Sequence, residues 1–160
     1  MTDALVRKAT DRDLAAILRL WHEMMELHAE IEPMVWTLGP DADSQMRSYL
    51  KECAEGEDHL LLVAEKGVEV IGYLLAARAP RPPVLDPPIC GAISDCAVTR
   101  SSRRQGVGTR LVAEAMRWFQ EQGLAHVQVS HATRNPLSSA FWHAQGFRAY
   151  QATCIRALEA

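Results

Sequence analysis

The sequence lacks the features that would place it in several large classes of protein. No apolar run is long enough to cross a membrane, and near the start Asp3, Arg7, Lys8, Asp11, Arg12 and Asp13 interrupt each apolar run before it reaches targeting length. Cysteine is scarce. Cys53, Cys90, Cys96 and Cys154 lie far apart with no C-x-x-C pair, so neither a zinc site nor a dithiol motif is suggested, and free thiols in a reducing cytoplasm are expected. There is no basic excess either: 17 Lys and Arg against 20 Asp and Glu leave a net charge of -3, which argues against a nucleic-acid binder and suits a small cationic partner better. No internal repeat or low-complexity tract is present.

At 160 residues, 48% hydrophobic and 23% charged, the chain can bury one core and is too short for two full domains, so 1–160 reads as a single domain. Residues 4 to 8 have strand character. Thr10 with Asp13 three positions on is a capping-box pattern; Leu14, Ile17, Leu18, Trp21, Met25 and His28 then recur at helical spacing, opposite Arg12, Arg19, Glu23, Glu26 and Glu30. Pro33 is expected to end that helix, and a second should start near Asp41 or Asp43, bury Met46, Tyr49, Leu50 and Cys53, and stop at Gly56. The runs 59–65 and 68–77 around Lys66-Gly67 predict an antiparallel hairpin. Pro80, Pro82, Pro83, Pro87 and Pro88 lack backbone donors, so 79–89 reads as a stiff extended loop.

A strand over 91–99 comes next, then a helix from about Val107 to Gln122 with Leu111, Ala115, Trp118 and Phe119 inward. A strand over 125–131, a short helix from Asn135-Pro136 to just before Gly146, and one or two strands within Phe147 to Leu158 complete the order. Such an alternation predicts an α/β single domain whose sheet mixes antiparallel hairpins with a parallel crossover.

Between the strand ending at Thr99 and the helix starting near Val107 stand Arg100, Arg103, Arg104, Gly106 and Gly108. Glycines let backbone N–H groups approach a phosphate, the first helical turn leaves N–H donors over, and the arginines add charge and forked donors. The loop is neither of the common nucleotide loops. A Rossmann turn needs a third small residue where Leu111 stands, and a Walker loop needs Gly-Lys followed by Ser or Thr.

The loop resembles the acetyl-CoA loop of the GNAT superfamily of N-acetyltransferases: Arg or Gln, two residues, Gly, one residue, then Gly or Ala, filled here by Arg103, Gly106 and Gly108. The preceding Asp95-Cys96-Ala97-Val98 is similar to the family's central strand, and Asn135, Ser138, Phe141, Trp142 and Gly146-Phe147 are similar to its second signature. The two motifs cover about the last 70 residues; the first 60 match in pattern only. The resemblance implies a mixed central sheet with splayed central strands flanked by helices. It implies acetyl-CoA held by Arg103, Arg104, Gln105, Gly106, Val107, Gly108 and Thr109, with Cys96 and Val98 along the pantetheine arm and Asn135, Ser138 and Trp142 on the same ligand. A homodimer is a further implication.

Acetyl transfer to an amine requires a deprotonated amine, a polarised thioester carbonyl and a proton for the leaving thiolate. By the resemblance, the backbone N–H near Val98 faces the thioester oxygen. Asp95, on the central strand, is the first candidate for the base and His131, at the end of the adjacent strand, the second. Family members often have a proton-donating tyrosine where this chain has Trp142, and indole cannot give up that proton. The acid is then another group (His143, Tyr73 and Tyr150 are the alternatives), a water, or nothing. A metal is not expected, because His-Glu-x-x-His would need a histidine at position 26, which is Glu26. His22, Glu23, Glu26, Trp36 and the Pro-rich loop are the candidates for the acceptor side, which would receive a small-molecule amine or a peptide amine. The alternative, prompted by Trp142, is a weakly active or non-catalytic module that binds acyl-CoA.

Overall fold

The computed structural model describes residues 4–158. Strand β1 (Leu5–Lys8) is followed by a 3-10 turn over Asp11–Asp13 and helix α1 (Leu14–Ile31). The turn forms because the Asp13 carboxylate accepts the Thr10 N–H at 2.8 Å and the Thr10 hydroxyl at 3.0 Å. Arg7 on β1 donates twice to the same carboxylate, at 2.7 and 2.9 Å, and also bonds Glu65 on the neighbouring strand. These contacts, those of Arg7 first, hold the Asp13 carboxyl down at about 2. In α1 the expected stripe is buried at Leu14, Ile17, Leu18, Trp21 and Met25, joined by Leu20, and His28 is half-buried.

Pro33 follows the end of α1 and also opens another helical turn, α2 (Pro33–Trp36), since its fixed φ suits a first helical position. In α3 (Ala42–Glu55) Leu50 and Cys53 are buried as expected, while Met46 is half-buried and Tyr49 is 42% exposed. The hairpin forms from β2 (His59–Lys66) and β3 (Glu69–Pro80), with Gly67 at φ 65 in its turn. The proline-rich loop is shorter than 79–89. Pro80 lies opposite Ile89, the first residue of β4 (Ile89–Val98), because a proline at a strand end gives up only a terminal donor.

The sheet is mixed. Strands β1 to β4 are antiparallel neighbours in chain order, and after helix α4 (Val107–Glu121) strand β5 (Val127–Val129) adds in parallel beside β4. On one face Leu61, Val63, Tyr73 and Leu75 pack with the buried stripes of α1 and α3. Gly72 and Leu74 alternate with them and point to the other face, where α4 packs: a Cβ at Gly72 would lie 3.3 Å from the side chains of both Val107 and Leu111. At Gly91 a Cβ would come within 2.8 Å of the Phe119 ring, so only glycine lets Phe119 bury fully there, a burial worth about 2 kcal/mol. Trp118, expected inward, is half-buried beside it.

This is a single-domain α/β fold in which one compact unit, ending at Ser130, holds the five strands and helices α1 to α4. A second begins at His131 and carries α5 (Pro136–Ala144), capped by Asn135, whose Oδ1 accepts the N–H groups of Leu137 at 3.2 Å and Ser138 at 3.3 Å. The strands expected within Phe147 to Leu158 do not form. Those residues have no regular structure and are exposed from Arg148 onward, so their apolar positions bury no common face. The strand expected over 125–131 likewise contracts to the three residues of β5.

Candidate active site

β4 has unequal neighbours. Against β3 it stays paired as far as Val98, opposite Gly72, whereas against β5 it pairs only at Gly91, Ala92 and Ile93. From Ser94 to Val98 the β5 side of the strand therefore has no ladder, because β5 ends at Val129, the partner of Ile93. A register shift falls at the same point. Leu75 lies opposite Asp95 and Ala76 opposite Ile93, leaving Ser94 as an extra residue on β4. Bulges bend a strand and increase its twist, and this one sits where pairing with β5 stops. No residue pattern announced it.

β4 then enters the glycine loop. Thr99 donates its N–H to Ile71 O at 2.9 Å, a 3-10 turn spans Arg100–Ser102, and the Arg103 Nε–H donates to Val98 O at 2.9 Å, tying the loop back to the strand. Gln105 Nε2 donates to Ser101 O at 2.9 Å. Arg104 at φ 61 and Gly106 at φ 80 are both left-handed, and residues of this kind turn neighbouring N–H groups toward an anion. A Cβ at Gly106 would meet nothing within 4 Å, so in the protein itself glycine supplies conformation there, not room. Gly106 is also the N-cap of α4, whose first helical hydrogen bond is Arg110 N–H to Gly106 O at 3.1 Å. The amides of Val107, Gly108 and Thr109 come before that bond, at the positive end of a 15-residue helix. This geometry suits a phosphate-bearing ligand.

Asp95 is the centre of the other half of the site. Lying opposite Leu75, it faces α1 and α3, and its Oδ2 accepts the hydroxyl of Tyr73 at 3.0 Å. Burial raises the Asp95 carboxyl above the ordinary carboxylate range, opposed by the Tyr73 hydrogen bond and then by the charge of His28. Tyr73 is fully buried, and burial followed by the Asp95 charge lifts its hydroxyl well above the usual 10. Desolvation and then Cys53 push Tyr49 up to about 12, burial raises the Cys53 thiol, and burial with the Asp95 charge takes Cys96 to about 12. Asp95 is thus a carboxylate short of water that holds a proton more tightly than a solvated one. Tyr73 was an alternative for the acid; its proton is directed to Asp95, which makes it that carboxylate's partner.

The remaining candidates separate by unit. His131 lies just past β5, in the second unit, where its Nδ1 is 3.4 Å from Ser139 Oγ. Trp142 is buried there, edge-on to Phe141 and Phe147 at 5.0 and 5.4 Å between ring centroids. His143 and Tyr150 are exposed. In the first unit, Glu23 lies 3.4 Å from the Thr99 hydroxyl, and His22 Nε2 lies 2.8 Å from Asp43 Oδ1. His22, Glu26 and Trp36 line one cleft of about 260 Å³ together with Met25, Ala29, Thr37 and Leu38; the Pro-rich loop is not part of it. Among the described residues no three His, Cys, Asp or Glu side chains cluster as metal ligands, and no helix is long and apolar enough to cross a membrane. His28, Tyr49 and Cys53 had no signal as site residues, because helical spacing marked them only as parts of buried stripes.

Residues 21–147 match the acetyltransferase (GNAT) family. No curated protein matches the chain. Among solved structures, a mutant of the BH1408 protein of Bacillus halodurans is similar with a TM-score of 0.87 at 20% identity, over 97% of this chain and 99% of that one. The aminoglycoside antibiotic 6'-N-acetyltransferase AAC(6')-IG of Acinetobacter haemolyticus is similar with a TM-score of 0.75 at 18% identity, over 98% and 99%. Aminoglycoside N-acetyltransferase AAC(6')-Iy, in complex with CoA, has a TM-score of 0.74 at 15% identity, over 98% and 100%. At these identities the likeness is one of fold.

Proposed function

We propose, from the premise that the chain belongs to the GNAT family of acetyltransferases, that it moves the acetyl group of acetyl-CoA to the primary amine of a small molecule. The observation that carries this reading is the continuity of β4. One strand has an edge free of β5 over Ser94–Val98, bears the half-buried Asp95 on that stretch, and runs into the left-handed turn that starts α4. In this reading Arg103, Arg104 and Gln105 with the amides of Gly106, Val107, Gly108 and Thr109 hold the CoA pyrophosphate. The backbone of Cys96 and Val98 aligns the pantetheine arm and faces the thioester oxygen, and Asn135, Ser138 and Trp142 serve the same substrate. All of 1–160 acts as one acetyl-CoA-binding domain; residues 1–3 and 159–160 lie outside the described structure.

Asp95 takes a proton from the bound ammonium and so frees the amine to attack, with His131 the second candidate for this role. The amine lone pair then forms the C–N bond as the C–S bond breaks; the second proton of the nitrogen passes to water, and the departing thiolate takes a proton from water in turn, since Trp142 has none to give. General base catalysis of this kind contributes about 100- to 10,000-fold. A small-molecule acceptor is favoured over a peptide by the aminoglycoside acetyltransferases of the same fold, and the four free cysteines suit a reducing cytoplasm.

Thiol release from acetyl-CoA over a panel of polyamines, aminoglycosides, amino acids, aralkylamines and peptides tests the reading. It fails if no amine releases CoA. Acetyl-CoA at about 100 times its dissociation constant should stabilise the fold by about 2.7 kcal/mol. Stabilisation without thiol release would instead identify an acyl-CoA-binding module.

A further inference from the structure

The cleft beside the C-terminal half of α1 carries information about the acceptor. Of its lining residues, Met25, Ala29, Trp36 and Leu38 are apolar, and two polar groups already have partners: His22 is 2.8 Å from Asp43, and the Thr37 hydroxyl donates to Pro33 O at 2.6 Å. Glu26 supplies the one carboxylate of the lining. The segment that closes the cleft is unusually apolar for a surface. Met34 is 58% exposed, Val35 48%, Trp36 37% and Leu38 39%, and a contiguous exposed patch of this kind marks a binding surface.

One wall of the cleft also touches a side chain whose charge reaches the proposed base. The Trp36 and His28 rings touch in a tilted arrangement with centroids 4.7 Å apart, His28 is fixed by its 2.7 Å contact with Met24 O, and the His28 charge is one of those felt by Asp95. At about 260 Å³ the cleft falls below the roughly 300–1,000 Å³ of drug-sized ligand sites. A polycation would need several carboxylates to offset its desolvation, and this lining has one.

Resting on the acetyl-transfer reading above, we infer that the acceptor is a primary amine with a single positive charge on a compact apolar or aromatic body, the body lying against Trp36, Met25 and Leu38. Glu26 in the lining favours a cation over a neutral or anionic ligand. Trp36 favours an aromatic or cationic group over an aliphatic one through its ring face.

The test compares 2-phenylethylamine, spermidine and kanamycin as acceptors in the thiol-release assay with the full-length protein. Expected is a kcat/KM for 2-phenylethylamine at least about ten-fold above the other two, the factor for one well-made contact. Trp36→Ala should raise KM for 2-phenylethylamine about ten-fold with kcat little changed, the signature of lost uniform binding, and Trp36→Phe should restore most of it. Glu26→Gln should raise KM and weaken its salt dependence. Spermidine or kanamycin as the better substrate, or an unchanged KM in a folded Trp36→Ala protein, overturns the inference while leaving acetyl transfer standing. Absence of thiol release with every amine in the wider panel overturns the acetyl-transfer reading and this inference with it.

Discussion

The glycine loop and the Asp95 neighbourhood lie on one strand and are built in opposite ways. The loop, Thr99 to Thr109, is contiguous, and most of its character is backbone: two left-handed residues, a helix start, and a guanidinium tied to the preceding strand. Around Asp95 the backbone only delivers the side chain, and chemistry arises from groups on other elements, Tyr73 on β3, Tyr49 and Cys53 on α3, and His28 on α1. A contiguous site tolerates changes elsewhere and is sensitive to its own φ angles. An assembled site is sensitive to partners far away in sequence.

Substitutions on each side should therefore fail differently. Asp95→Asn is expected to have the largest effect, a fall in kcat of about 100-fold or more with stabilisation by acetyl-CoA retained. Because burial raises the Asp95 carboxyl, the wild-type kcat/KM should climb as pH rises through that raised value, and the variant's should not. The sign for stability is the reverse: the wild type loses stability as pH rises from about 4 through the folded pKa, where burial opposes the charge, and Asp95→Asn, still able to accept the Tyr73 hydrogen bond, escapes that loss. Loss of acetyl-CoA binding in Asp95→Asn would break the division between the two regions.

Gly106→Val attacks the other side. The strain of a left-handed branched residue, about 1–2 kcal/mol, should lower thermal stability, and a distorted loop should weaken acetyl-CoA affinity about ten-fold or more, or ~1.4 kcal/mol, in isothermal titration. Saturating acetyl-CoA should recover most of kcat. Unchanged affinity in a folded variant would remove the loop assignment.

Tyr73→Phe should act less severely and only through Asp95. Losing the hydrogen bond that holds the carboxyl down shifts the acid limb of the pH–rate profile to higher pH, while the plateau falls only a few-fold. A structural role alone would not move that limb.

Asp13→Ala is the control outside both regions. With its carboxyl held at about 2 against an ordinary 3.8, Asp13 contributes about 2 kcal/mol of stability, present above about pH 4 and lost as pH falls toward 2. Urea unfolding at pH 7 should show that loss, with kcat unchanged. Trp142→Phe should have the smallest effect on turnover, within about two-fold, because a residue without a transferable proton contributes no acid catalysis; a larger drop in kcat with an unchanged melting temperature would give Trp142 a role in the chemistry.

Legibility in the sequence followed the range of the interactions. Helices α1, α3 and α4 and the β2–β3 hairpin were readable because periodic burial, caps and turn glycines act within a few residues. The last segment misleads a local reading, since Phe147 to Leu158 has β-forming residues but no buried face. Pro80 reads locally as a loop residue, but its effect depends on where in a ladder it sits, and at the end of β3 it is tolerated. In the candidate site, Asp95 is a proposal that rests on its strand position, whereas the hydrogen bond that Tyr73 donates to it is set by β3–β4 register and has no local signal.

What the sequence determined by itself is the turn proposed to hold the donor: Gly106 and Gly108 after Arg103 and before a helix specify a glycine turn leading into α4, since backbone conformation and helix N–H groups are local properties. Only the tertiary structure decided the rest. The Ser94 bulge, the end of pairing at Ile93 and the water-poor setting of Asp95 each require residues tens of positions apart to meet, and the cleft at Trp36 requires the segment after Pro33 to lie against α1. Burial and register belong to the packed chain, and no local pattern encodes them.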